Sequence, residues 1–240
     1  MWVVNCSDYL HQQIAENRWA AYQLMQEQAA SQGFWQRLFG WLTGRTRRSA
    51  AQRQNKLAAM GVRDRRLIQG QLGEDLLASA LSQRLDDRYI LLRNYTPPPP
   101  FRSGGDIDGV LLGPQGVSMF EVKAWHGVYR CIGDEWLFLP RDRSRWEPAA
   151  KNPTQQALRN LQRVQGTLNL AGLNDIQAQP VLAIADAKMR VELQGAPSIP
   201  FYRVHEAPDR LDFLPSHTVL SRPQIERVWF ALLPQPGGKR

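Results

Sequence analysis

Three charged residues are spaced so that one tight turn would gather them: Asp108, Glu121 and Lys123. Two carboxylates and a lysine at one point have the makings of a metal-dependent phosphodiester-cleaving site. Between them run Val110-Leu111-Leu112, then Gly113-Pro114-Gln115-Gly116, then Val117-Ser118-Met119-Phe120, which reads as strand, turn and strand. A turn at 113–116 sets Leu112 against Val117. Counting outward then puts Asp108 opposite Glu121 and Asp106 opposite Lys123, and directly opposed residues hold their Cβ atoms ~4.5–5.5 Å apart. Lys123 shares the face of Glu121, two residues back.

The remaining strand residues are apolar on both faces, so the hairpin belongs in the middle of a covered sheet and its charges are at least partly buried. Two carboxylates ~5 Å apart repel by about 3 kcal/mol at an effective dielectric of about 20. They must share a proton or bind a cation, and one lysine offsets only half of their charge. A hard divalent ion suits the remainder. A structural ion-pair network would use the same residues, and the hairpin alone leaves the two readings even.

Two helices bear on that choice. Around Gly70-Gln71-Leu72-Gly73-Glu74, a spacing of 100° per residue points Glu74 the same way as Leu77, Ala78, Leu81 and Leu85. A carboxylate inside an apolar stripe needs a partner, and a metal or its ordered water would be one; a first-turn Glu can also simply favour the helix N-terminus. Asn152-Pro153 opens the second helix, with an apolar arc of Ala157, Leu158, Leu161, Val164 and Leu168. Gln156 lies at its edge beside Asn160, Arg159 and Arg163, where an amide and two guanidinium groups could line a cleft and touch phosphate. A solvated face would look the same. So would the loop 141–146, where Arg143 and Arg145 alternate with polar residues beside Trp146.

Taken together, the chain resembles the nuclease-related (NERD) domain of the PD-(D/E)xK nuclease superfamily. The likeness rests on Gly-x-x-Gly-Glu (Gly70 to Glu74), Asp-Ile-Asp-Gly-Val-Leu-Leu-Gly (Asp106 to Gly113), Glu-Val-Lys-Ala-Trp-His-Gly (Glu121 to Gly127) and Asn-Pro-x-x-Gln (Asn152 to Gln156). It spans roughly Leu67 to Leu233. The resemblance implies a restriction-endonuclease-like α/β core, with Asp108, Glu121 and the Val122 carbonyl as ligands of Mg²⁺ or Mn²⁺. It implies that Lys123 orients or activates water, that Glu74 and Gln156 assist, and that the substrate is nucleic acid, DNA by superfamily analogy. Asp106 stands where relatives often carry Glu. On this reading, Asp108→Asn and Lys123→Ala remove activity and leave the fold nearly intact.

Composition agrees. The 240 residues are 43% hydrophobic, carry a formal charge of +8 and have a pI near 9.9, which favours a polyanionic partner. Residues 1–70 hold ten Lys/Arg against four Asp/Glu, so +6 of that charge lies mainly outside the nuclease-like part. The organisation read from this is a basic helical extension (1–66), the nuclease-like domain (67–233) and a short tail (234–240). Within the extension, Phe34 to Leu42 with Arg45, Arg47 and Arg48 has the composition of an interfacial helix, giving either peripheral membrane contact through 34–48 or docking on its own domain. No stretch approaches the ~20 apolar residues of a membrane span. The start of the chain lacks a signal-peptide pattern, so the expected location is cytoplasmic. Two cysteines make neither a disulfide framework nor a zinc site, and no Walker-type loop points to a nucleoside triphosphate.

The expected fold is a mixed central β-sheet flanked by helices. Its other elements are a strand at Tyr89–Arg93, a stiff spacer at Pro97–Pro100 and a second hairpin around 133–135. Strands near Val181–Ala185 and Phe201–His205 follow, then a terminal helix after Ser221 with Ile225, Val228, Trp229 and Leu232 as its packing face. The contending function from another class is a catalytically silent binding or interaction module on the same scaffold.

Overall fold

The hairpin forms where turn chemistry and strand periodicity place it, and it lies at the centre of a six-stranded sheet. A computed structural model describes residues 1–6, 67–142, 145–205 and 219–233. Most of the basic extension, including the proposed membrane segment 34–48, lies outside the described residues, as do Arg143 and the tail 234–240. In chain order the elements are β1 (Trp2–Asn5), helix α1 (67–82), β2 (Ile90–Tyr95), β3 (Ile107–Gly113), β4 (Gly116–Lys123), β5 (Gly127–Ile132) and β6 (Glu135–Leu139). Then come β7 (Glu147–Pro148), α2 (Pro153–Leu170), β8 (Ala178–Ile184), β9 (Met189–Gln194), β10 (Phe201–Arg203) and α3 (Arg222–Leu232).

The first sheet runs β1-β2-β3-β4-β8-β10; β2, β3 and β4 are antiparallel neighbours, and the β1–β2, β4–β8 and β8–β10 pairs are parallel. The second runs β7-β6-β5-β9 and is likewise mixed. The β3–β4 register is the one counted from the turn, with Leu112 against Val117 and Val110 against Met119. All eight residues of β4 are buried.

Strand alternation splits the core into two layers. Leu111, Phe120, Val122 and Val181 pack against Leu77, Ala78, Leu81 and Leu85, the stripe of α1 and its C-terminal extension. On the opposite face Val110, Leu112, Met119 and Leu182 meet Ala157, Val164 and Leu168 of α2, Val228 and Leu232 of α3, and Trp136 of the second sheet. Each such buried leucine contributes on the order of 1.5–3 kcal/mol. Asn152 caps α2 by accepting from the Gln155 N–H at 3.0 Å, with Pro153 in the first turn.

Several details differ from the sequence reading. Residues 2–5, assigned to the helical extension, form an edge strand parallel to β2. Leu158 is 36% exposed, and Asn160 takes the buried place that the helix arc assigned to leucine. The spacer turns back at its end, where the Phe101 N–H donates to Pro98 O at 2.9 Å. Strands β7 and β9 complete a sheet of which the sequence predicts only the hairpin. Both cysteines are free. Among the described residues no helix is long and apolar enough to cross a membrane. By compactness Met1–Ser7 and Gly70–Arg240 form one unit and Asp8–Gln69 a second.

Candidate active site

Glu121 and Lys123 point to the same side of β4 and form a direct ion pair there, with Lys123 Nζ also donating to the Val122 carbonyl at 3.2 Å. Glu121 is fully buried and Lys123 is 7% exposed. Burial of charge at this depth is costly without partners. A second partner comes from α2, whose Asn160 Nδ2 donates to Glu121 Oε2 at 3.0 Å. Asp108 stands one residue beyond the last pair of the β3–β4 ladder, Gly109 with Phe120, and its Oδ2 accepts from the Val122 N–H at 2.6 Å. Asp106, two residues earlier, accepts from the Thr96 hydroxyl.

Glu74 enters from α1 on the opposite layer. Gly73 permits this: a Cβ there would lie 2.8 Å from Ala124 Cβ and 3.3 Å from both Ala185 Cβ and Val122 Cγ1. The helix therefore rests directly on the ends of β4 and β8. Among the described residues Glu74 Oε2 is buried without a hydrogen-bond partner, and the nearest cation, Arg93 Nη2, is 3.9 Å away and bonded to Asp75. Among the described residues Gly73 alone of the motif's two glycines has this steric reason, since none of them lies within 4 Å of a Cβ at Gly70.

The carboxylates raise one another's proton affinity. Burial first, then the charge of Asp108, pushes Glu74 up to about 8, with Arg93 opposing. Burial and Asp108 likewise push Glu121 up to about 7 against the pull of Lys123 and Asn160. Asp108 is raised by burial and lowered in part by Lys123 and the Val122 N–H. Near neutral pH the cluster is thus short of positive charge, the condition under which a cation binds.

Among the described residues no group of three or more His, Cys, Asp or Glu is arranged to hold a metal ion. The site instead offers Asp108, Glu121 and the Val122 carbonyl, an all-oxygen set of the size that Mg²⁺ typically uses alongside water. The unpartnered Glu74 Oε2 fits a further water-mediated contact. The residues therefore suit a hard divalent ion.

The remaining candidates are placed as follows. Gln156 is half-buried one helical turn before Asn160 on α2. Arg159 is exposed. Arg163 is committed to structure: its Nε donates to Phe101 O at 3.0 Å, Nη2 to Gly105 O at 2.6 Å, and Nη1 to Asn160 Oδ1 at 3.0 Å. It straps the loop before β3 to α2. Arg145 stands beside edge strand β7 of the second sheet, 3.9 Å from Glu147. Asn160, which holds Glu121, is a site residue beyond those the sequence predicts. The signal is its spacing, three after Ala157 and four before Val164, which sets it at the border of the apolar arc beside Val164.

Residues 69–185 match the family model of the nuclease-related domain. They form a nuclease-related (NERD) domain. The match runs from α1 to the end of β8, so the NERD domain holds Glu74, Asp108, Glu121, Lys123 and Gln156. Strands β9 and β10 and helix α3, which the sequence reading included in the likeness, lie beyond it. Comparison with curated proteins and with solved structures gave no match.

Proposed function

We propose that the NERD domain hydrolyses phosphodiester bonds of nucleic acid, DNA in the first instance, with Mg²⁺ or Mn²⁺ as cofactor. The observation that carries this reading is the meeting of Asp108, Glu121 and Lys123 around Val122 at the open end of the β3–β4 ladder. Asp108, Glu121 and the Val122 carbonyl would hold the ion. The chemistry that such an ion supplies when bound is Lewis-acid polarisation of the phosphoryl group and a more acidic water.

The protein's own groups do the rest. Lys123 carries three N–H donors; two are engaged by Glu121 and the Val122 carbonyl, leaving one for the attacking water or a phosphate oxygen. Asn160 fixes the Glu121 carboxylate from the side of α2, and the Val122 N–H fixes Asp108. Glu74, with its proton affinity pushed up to about 8, can hold or release a proton near neutral pH. Water adds across one P–O bond and no covalent protein intermediate is needed. The charge of +8 supports a polyanionic substrate.

The test is cleavage of labelled single-stranded DNA, duplex DNA and RNA in Mg²⁺, Mn²⁺ or EDTA, with Asp108→Asn and Lys123→Ala alongside. Cutting that EDTA and both substitutions abolish is the expected result. The Lys123 and Asn160 bonds already satisfy Glu121 without an ion, and this favours the silent binding module as the second reading. Substrate bound but never cut, or variants that cut as well as the wild type, would establish that module instead.

A further inference from the structure

Beside Lys123 begins a row of aromatic rings that the proposed hydrolysis leaves unused. Lys123 Nζ lies 5.6 Å from the centroid of the Trp125 ring. Trp125 and Tyr129 have centroids 5.2 Å apart at 39°, and Tyr129 and its cross-strand partner Phe138 are again 5.2 Å apart, at 44°. The row thus starts where β4 ends and continues onto β5 and β6. Gly127 makes the passage possible, with φ at 114° and a Cβ position 3.0 Å from Phe138 Cε2. Trp125 and Tyr129 touch the main core, yet all three residues are only half-buried. A row that served packing alone would be covered.

We infer that Trp125, Tyr129 and Phe138 form a stacking platform for unpaired bases next to the scissile phosphate, which makes single-stranded nucleic acid the substrate class. This rests on the nuclease reading for the phosphate and adds the base contact. A base within a duplex has both faces covered by its neighbours, so ring-face contact requires an unpaired or extruded nucleotide. A phosphate held at Lys123 brings its nucleotide within reach of Trp125, the ring nearest that lysine. The tilts of 39° and 44° make the rings fan out, which suits bases splayed along a single strand better than a continuous helical stack. Aromatic platforms of this kind are tolerant of sequence, and a basic chain supplies the complementary attraction for the backbone.

The test separates binding from cutting by working in EDTA with the full chain. Fluorescence anisotropy should show tighter binding of a labelled single strand than of a duplex of equal length. Trp125→Ala and Tyr129→Ala should each weaken single-strand binding about tenfold, with duplex binding little changed, while Trp125→Phe keeps most of the affinity. Because ring removal can disturb packing, the wild-type protein is also given single strands carrying abasic residues at alternate positions, which should bind about tenfold more weakly. Equal or tighter binding of duplex, or indifference to the abasic residues, overturns the platform. Intact single-strand preference in a protein that never cuts in Mg²⁺ would overturn the nuclease reading and leave the platform standing; cutting without that preference would do the reverse.

Discussion

Asp108 reaches past the end of its own ladder to the main-chain N–H of Val122, 2.6 Å from its Oδ2. The bond fixes the carboxylate at the peptide that joins Glu121 to Val122. An amide at the same position keeps an acceptor oxygen for that N–H, so Asp108→Asn should change stability by less than about 1 kcal/mol. It removes the charge on which cation binding depends, and turnover should fall at least about a hundredfold. Thermal melts and cleavage rates on one preparation check both halves; a variant that melts well below the wild type would show that the residue serves folding first.

Lys123→Ala should behave differently, contrary to the expectation from sequence that it spares the fold. Its ammonium is the buried partner of Glu121, and removing one member of such a pair leaves the other desolvated and unpaired. Glu121, already raised to about 7, can take up a proton and limit the loss. The variant should therefore be destabilised by about 1–3 kcal/mol at pH about 8 and by distinctly less at pH about 5.5. Equal destabilisation at the two values would show that Glu121 does not titrate in this range.

Glu74 sets the sign of a wider pH effect. Its proton affinity in the folded protein, about 8, exceeds the ordinary 4.5. Between those values the folded state holds a proton that the unfolded state has released. Stability fully present below about 4.5 is thus lost as pH rises through about 8. Glu74→Gln should flatten that decline, and Mg²⁺ should raise the melting temperature more at pH about 8 than at pH about 5.5, since only ionised carboxylates attract it. Melting curves across this range with and without Mg²⁺ decide it, and a wild-type profile as flat as that of the Gln variant would contradict the assignment.

How far the sequence disclosed this arrangement depends on the range of the interaction concerned. The register of the hairpin was readable because a glycine-flanked turn and a period of two both act locally. The inward placement of Glu74 was readable because helical periodicity is local as well. The partners of Asn160 and Arg163 were not, because they lie 39 and about 60 residues away: Glu121 for the amide, and the carbonyls of Phe101, Arg102 and Gly105 for the guanidinium. A guanidinium on a helix edge reads the same whether it will meet phosphate or backbone. Strand β9 carries a period of two, with Met189 and Val191 buried and Arg190 and Glu192 exposed, but the charges on its outer face make it resemble a solvated loop in sequence.

The two glycines before Glu74 should part company on substitution. Gly70→Ala puts a methyl within 4 Å of none of the described residues and into a helix, where alanine is favoured by about 0.5–1 kcal/mol, so stability should stay level or rise. Gly73→Ala forces α1 away from Ala124, Ala185 and Val122 at a cost of about 1–3 kcal/mol. It also draws Glu74 away from Asp108, so activity should fall beyond what lost stability explains. Denaturant titration of the pair checks the contrast, and equal midpoints would show that α1 does not need this close approach.

Arg159 and Arg163 differ by one turn of α2 and should differ in kind. Arg163 holds the loop before β3 through three backbone carbonyls and braces Asn160, which in turn holds Glu121. Its replacement by alanine should cost about 2 kcal/mol in stability and, by loosening Asn160, lower turnover. Because that charge faces carbonyls and not phosphate, the salt dependence of nucleic-acid binding should remain as in the wild type. Arg159 is exposed on the same helix, and if it contacts the backbone of the bound strand, Arg159→Ala should leave stability alone and reduce the slope of log K against log[salt] by about 1. Binding isotherms at four or five salt concentrations, run beside melting curves, separate the two roles. A reduced slope for Arg163→Ala with unchanged melting would reverse the assignment, making that residue the phosphate contact and leaving the loop to hold itself.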